Sequence, residues 1–221
     1  ALFHQGPSIM KQYIKFIFIF MVMLLTSGCS SLLHTELSED GQLRYLKPHH
    51  LNARNANNAV SVSQEQALFG DSSIRFESNA GECGYEPGWS DCSNDRERTE
   101  LYYNDERWKS ETWYRFYVYF PEHFPILYPA KVSLIQWKRK NPSKVLIMFQ
   151  HMDKGLVFNR NGDTFKDSYV FLKPHEELLE TWTEIVFSTN WDPNPNKGFM
   201  RVWVDGQLKM DFTGPSNVAN T

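Results

Sequence analysis

From Ser72 onward, short runs rich in β-branched and aromatic residues recur between turn formers, and this rhythm constrains the chain more than any other feature. The runs are Ser73–Glu77, Thr99–Tyr103, Thr112–Phe120, Val132–Lys138, Val145–Phe149, Leu156–Asn159, Tyr169–Leu172, Thr183–Ser188, Phe199–Val204 and Gln207–Phe212. Strands of this length at this spacing predict a sandwich or barrel. Asp205-Gly206 between two such runs suits a two-residue type I′ hairpin, and Asn161-Gly162 is a weaker signal of the same kind. Only His175–Glu180 reads as helical. Aromatic residues make up 15% of the chain, which favours pleated, half-buried surfaces and offers platforms for flat ligands such as sugar rings. The expected fold is all-β, with two packed antiparallel sheets.

The N-terminal region reads differently. Lys11 and Lys15 precede an apolar run from Phe16 to Leu25, followed by Thr26, Ser27, Gly28 and Cys29. This order gives a basic segment, a short hydrophobic segment and a small-residue processing site. A membrane span needs about 18 to 20 apolar residues, and this run is shorter. Its Gly-Cys ending is similar to a bacterial lipobox, with Cys29 as the acylated residue. Simple secretion and a buried hydrophobic segment are the alternatives.

Residues 1–28 are therefore expected to hold upstream residues, with a natural start at Met10, and a signal peptide. Residues 29–60 are expected to form a lipidated cysteine and polar tether, and residues 61–221 one domain. The expectation is an exported bacterial lipoprotein of the outer membrane, periplasm or cell surface, held to the membrane by its lipid. Charged residues make up 22% with a net charge of -3, so there is no basic field and nucleic acid is not an expected partner.

Cys83 and Cys92 bracket Gly84-Tyr85-Glu86-Pro87-Gly88-Trp89-Ser90-Asp91, a loop of turn formers that a disulfide could close in an exported protein. Metal ligation is the alternative, but no His or Cys partners lie at zinc-like spacing. In Asp95-Arg96-Glu97-Arg98-Thr99-Glu100-Leu101, strand alternation would place Arg96, Arg98 and Glu100 on one face. Paired guanidinium groups can bind a carboxylate or sulfate, with Glu100 steadying one of them. The plainer reading is a solvated charge ladder on an edge strand.

In Val132–Lys138, alternation puts Gln136 and Lys138 on the face of Val132 and Leu134, as in a strand running from the core into a cleft. It reads equally as a strand emerging into solvent. Gln150 shares a face with Leu146 and Met148, and alone would be a satisfied core amide. Of the histidines, His34, His49 and His50 fall in the expected tether, His123 and His175 sit beside prolines, and His151 faces away from Gln150. No defensible Ser-His-Asp order, glycine-rich phosphate loop or HExxH motif is present.

Several blocks occur in an order that resembles one family. They are Phe76-Glu77, Gly81-Glu82-Cys83-Gly84, Pro87-Gly88-Trp89-Ser90-Asp91-Cys92, Asp95 to Leu101, Trp113-Tyr114, Tyr119-Phe120-Pro121-Glu122, Tyr128 to Val132, Gln136-Trp137, Met148-Phe149-Gln150, Trp182, Val202 to Gly206 and Phe212 to Pro215. This order resembles the polysaccharide lyases that include heparin lyase I and glucuronan lyase. The resemblance implies a β-jelly roll, a concanavalin-like sandwich, that binds an acidic polysaccharide such as glucuronan, alginate or a glycosaminoglycan. It also implies cleavage by β-elimination at a uronic acid.

That chemistry must neutralise the uronate, remove the C5 proton and protonate the leaving O4. By resemblance Arg98, Gln136 and Lys138 form the catalytic group, with Arg96, Glu100, Gln150 and Trp137 binding substrate. The family commonly has histidine at the place of Lys138, which would serve here as base or as a substrate-binding cation. No cofactor is required, and a bound calcium is compatible with the chemistry. Family chains continue past the Thr-Gly-Pro turn into a Tyr-Phe-Lys-x-Gly-x-Tyr-Arg strand, so the domain is expected to be incomplete at Thr221.

Two further readings differ in class. One is a non-catalytic carbohydrate-binding jelly roll. The other, a hydrolytic glycosidase, needs a carboxylate pair about 5 to 9.5 Å apart. Asp95, Glu97 and Glu100 are available for it, but no Glu-x-Asp-x-x-Glu strand is present.

Overall fold

Alternation along the strands decides the architecture. In Phe199–Val204, Met200, Val202 and Val204 are buried while Phe199, Arg201 and Trp203 are only partly so, and Thr183–Asn190 buries Ile185 and Phe187 on the same principle. Strands patterned this way stack two sheets over one apolar layer. The computed structural model describes residues 46–52, 59–103, 111–140, 143–162 and 165–217. The expected leader, Cys29 and most of the expected tether lie outside the described residues. No helix among them is long and apolar enough to cross a membrane.

The chain divides into two compact units, one up to Asn104 and one from Asp105. The first is built from short strands: β1 (Lys47–Pro48), β2 (Val60–Ser63), β3 (Ser73–Phe76), β4 (Tyr85–Glu86), β5 (Trp89–Ser90) and β6 (Leu101–Tyr102). They pair as β1–β6, β2–β3 and β4–β5, all antiparallel. Gly88 at φ 85° supplies the left-handed residue that closes the β4–β5 turn after Pro87. Cys83 and Cys92 are joined by a disulfide with Cα atoms 5.2 Å apart.

Two expectations are corrected in this unit. Residues 46–52, expected as tether, are folded: Leu51 is buried, and its carbonyl lies so close to Gly84 that a Cβ there would sit 2.1 Å away. The Thr99–Tyr103 run contributes only Leu101–Tyr102 as strand, so Arg96, Arg98 and Glu100 do not alternate along a sheet. Side chains take over the pairing there. Asn52 accepts from the Glu100 amide at 2.9 Å and donates to the Glu100 carbonyl at 2.9 Å, replacing a neighbouring strand.

The second unit holds β7 (Glu111–Val118), β8 (Val132–Arg139), β9 (Lys144–Met152), β10 (Gly155–Gly162), β11 (Phe165–Pro174), β12 (Thr183–Asn190), β13 (Phe199–Val204) and β14 (Gln207–Thr213). They form two four-stranded antiparallel sheets, ordered β11-β10-β9-β8 and β14-β13-β12-β7. The core includes Ile147, Phe149, Phe158, Ile185, Phe187, Met200 and Val202. The fold is all-β, and its two packed sheets form a β-sandwich of the jelly-roll class.

The expected Asp205-Gly206 turn is present, with φ of 49° and 75° at its two central residues. Asn161-Gly162 are the last two residues of β10, which pairs antiparallel with β11 from Gly162 opposite Phe165, so a hairpin follows this weaker signal directly. The expected His175–Glu180 helix shortens to a 3-10 turn at His175–Glu177.

Candidate functional site

Two polar arrangements stand out, one in each unit. In the first unit, Asp91 sits at the end of the disulfide-closed loop, fully buried. Its carboxylate accepts from Arg98 Nε at 2.7 Å, Arg98 Nη2 at 3.2 Å and Trp89 Nε1 at 2.9 Å. Arg98 also donates from Nη1 to Glu100 at 2.5 Å, so Glu100 steadies the guanidinium as the sequence suggested.

Burial alone would push the Asp91 carboxyl up, yet hydrogen bonds from Arg98 and Trp89 and the charges of Arg98 and Arg96 hold it below its ordinary value. The same bonds, those of Asp91 foremost, raise Arg98 against the effect of its own burial. Arg98 is thus a clamped cation offset by two carboxylates, and its side chain is 19% exposed. Arg96 is exposed and stacks over the Trp89 ring, 5.5 Å from its centroid.

The former tether borders this cluster. His49 donates its amide to the Glu100 carbonyl at 2.9 Å, and His50 contacts Glu86 at 2.9 Å. Burial lowers the His49 pKa, with Glu100 pulling it back up. Sequence reasoning gave no role to Asp91, Trp89, His49 or Asn52. For Asp91 and Trp89 the signal lay in the quoted Trp-Ser-Asp-Cys block, where a carboxylate next to a disulfide cysteine is positioned by covalent constraint.

In the second unit, the face of β8–β11 turned away from the core mixes polar and apolar side chains. Residues opposed across antiparallel strands share a face, so Gln136 lies with Met148, Asn159 and Tyr169, and Ser133 with Gln150, Val157 and Phe171. Gln150 is fully buried, donates to Ser133 Oγ at 3.0 Å and accepts from Asn159 Nδ2 at 3.2 Å. It orients its neighbours and presents nothing outward. Tyr169 and Phe171 are exposed, and Lys131 approaches the Tyr169 ring at 5.9 Å.

Bulges in β8 overturn the expected alternation there. The register shifts between Ser133 and Ile135 and again between Trp137 and Lys138. Val132 consequently pairs with His151 on the core side, whereas Gln136 pairs with Met148 on the outer side. Trp137, expected at the substrate, points into the core against Tyr114 at 4.9 Å and Phe187 at 5.1 Å. Lys138 is exposed opposite Val145, on the side of Ile147, and Arg139 opposite Lys144 takes the side of Gln136. Arg139 is itself buried.

His151 is buried against Phe120 and Phe124, with Nε2 2.9 Å from His175 Nδ1. Burial lowers its pKa, and His175 adds to the effect. Among the described residues no group of three or more His, Cys, Asp or Glu is placed to hold a metal ion.

A β-sandwich hosts many unrelated functions, so the fold by itself assigns none. A family model described as "Polysaccharide lyase" matches residues 38–221. The chain belongs to the polysaccharide lyase family, and the match takes in the folded residues 46–52. No curated protein and no solved structure matches the chain.

Proposed function

We propose that this lyase cleaves a uronic-acid-containing polysaccharide by β-elimination, in an exported, lipid-anchored form. The observation that carries this reading is the arginine pair gathered around Asp91. Arg98 is locked by two carboxylates, and Arg96 on Trp89 offers an open guanidinium for the uronate carboxylate. Neutralising that carboxylate acidifies the C5 proton and stabilises the charge that develops on its removal.

In the second unit, Gln136 and Tyr169 share the outer face of β8–β11, where an amide and a phenol suit hydrogen bonding to a sugar. Lys138, turned from that face, acts as a rim cation. Gln150 and Arg98 are positioning residues. The elimination itself needs no metal.

Incubation with glucuronan, alginate and heparin, following ultraviolet absorbance of the unsaturated uronate, tests the reading. The wild-type protein is expected to release the chromophore from at least one polymer, and Arg96→Ala to lower kcat/KM about 100-fold. No chromophore from any acidic polymer overturns it. A second reading, glycan binding without cleavage, is favoured by the turn of Lys138 away from Gln136. Retained affinity with no new chain ends would select it.

A further inference from the structure

The second sheet carries an outward feature that the elimination does not use. Alternation sends Trp113 of β7 and Trp203 of β13 away from the core, with Ser188 and Val186 of β12 as their Cα partners. Ser188 is small, so the two indoles meet across the intervening strand, with ring centroids 5.4 Å apart and planes 24° from parallel. Ser188 is itself fully covered although it faces outward, and its hydroxyl has no partner among the described residues.

Trp113 is 58% exposed, and Leu208, the Cα partner of Trp203, is 52% exposed. The row Trp113, Trp203, Leu208 therefore crosses the whole sheet, roughly 14 Å at the usual strand spacing. Exposed tryptophan in a contiguous row is a mark of a binding surface.

The rim identifies the occupant. Arg115 Nε donates to Glu184 at 2.6 Å, Arg201 Nε to Asp211 at 3.0 Å, and Trp113 Nε1 to Glu111 at 2.9 Å. Each arginine has its own carboxylate, so the rim is close to neutral yet dense in hydrogen-bonding groups. A polyanion gripped by charge alone would call for a rim of one sign, and a protein partner for a broader apolar patch than one row. A narrow aromatic track edged by planar donors and acceptors is complementary to sugar rings, whose C–H faces stack on indole and whose hydroxyls reach the rim.

We propose that Trp113 and Trp203 form a second glycan-binding platform, on the opposite face of the sandwich from Gln136, which holds another stretch of the polysaccharide the enzyme cleaves. The inference rests on the lyase reading for the identity of that polymer.

Electrophoresis of the full chain through gels containing glucuronan or alginate, with melting curves to certify folding, tests the proposal. The double variant Trp113→Ala/Trp203→Ala is expected to bind polymer about tenfold more weakly and Trp113→Phe to bind as wild type. Cleavage of a tetrasaccharide is expected to stay unchanged while polymer cleavage slows. A double variant that melts and migrates like wild type overturns the platform. If the double variant does not fold, Trp113→Gln at the edge strand gives the same comparison, again overturned by wild-type migration. If the wild-type protein cleaves polymer but the variants bind normally, only the platform falls. If it neither binds nor cleaves any of these polymers, the lyase reading falls with it.

Discussion

Arg98 and Arg96 carry the same charge two residues apart, and the structure gives them different tasks. Asp91 and Glu100 hold Arg98, whereas Arg96 lies exposed on Trp89. The sequence showed that two guanidinium groups and a supporting Glu100 belong together. Which one is open depends on Asp91, whose burial strand alternation does not show. His151 is a similar case: its strand was legible, but its pairing with His175 was not. Its pKa lies below the ordinary 6.5 in the folded chain, so the unfolded chain binds more protons as pH falls through and below 6.5. Stability is therefore full above that value and declines below it. Urea midpoints at pH 8 and pH 5.5 should fall further for wild type than for His151→Phe, since the phenyl ring takes up no proton. Equal declines would show that His151 titrates as in the open chain.

At the scale of elements, strand existence was readable and facing was not. Phe199–Val204 matches its expected bounds, and the Asp205-Gly206 turn forms as local chemistry requires. In β8 two bulges moved Trp137 into the core and exchanged Lys138 for Arg139, because a bulge shifts every following side chain to the other face. The β13–β14 turn also ties the two sheets together. Lys173 of β11, nearly buried, donates to Thr183 at 2.9 Å and to Asp205 at 2.8 Å. Asp205→Asn keeps a residue suited to the turn and removes the carboxylate facing Lys173. Chemical denaturation should show a loss of about 1 to 2 kcal/mol, less than for a fully buried pair because Asp205 is partly solvated. No loss would mean that solvent already screens the pair.

For the molecule as a whole, the cysteine pair links the sequence to the candidate site. Cys83 and Cys92, nine residues apart, brace the loop that carries Trp89 and Asp91. Cys83→Ser/Cys92→Ser should lower the stability of the first unit by roughly 2 to 3 kcal/mol on the chain-entropy model. The second unit, with its own core, should keep its melting transition in calorimetry. A single transition shifted as a whole would contradict this. The sequence by itself determined the all-β class, most strands of the second unit, the type I′ hairpin and the short disulfide loop. Each of these depends on residues within a few positions of one another. Only the tertiary structure decided that residues 46–52 join the first unit, that Trp137 is core and Gln150 a satisfied internal amide, and that two tryptophans meet over Ser188. Those outcomes are set by register and burial against residues far away in the chain, where local periodicity carries no information.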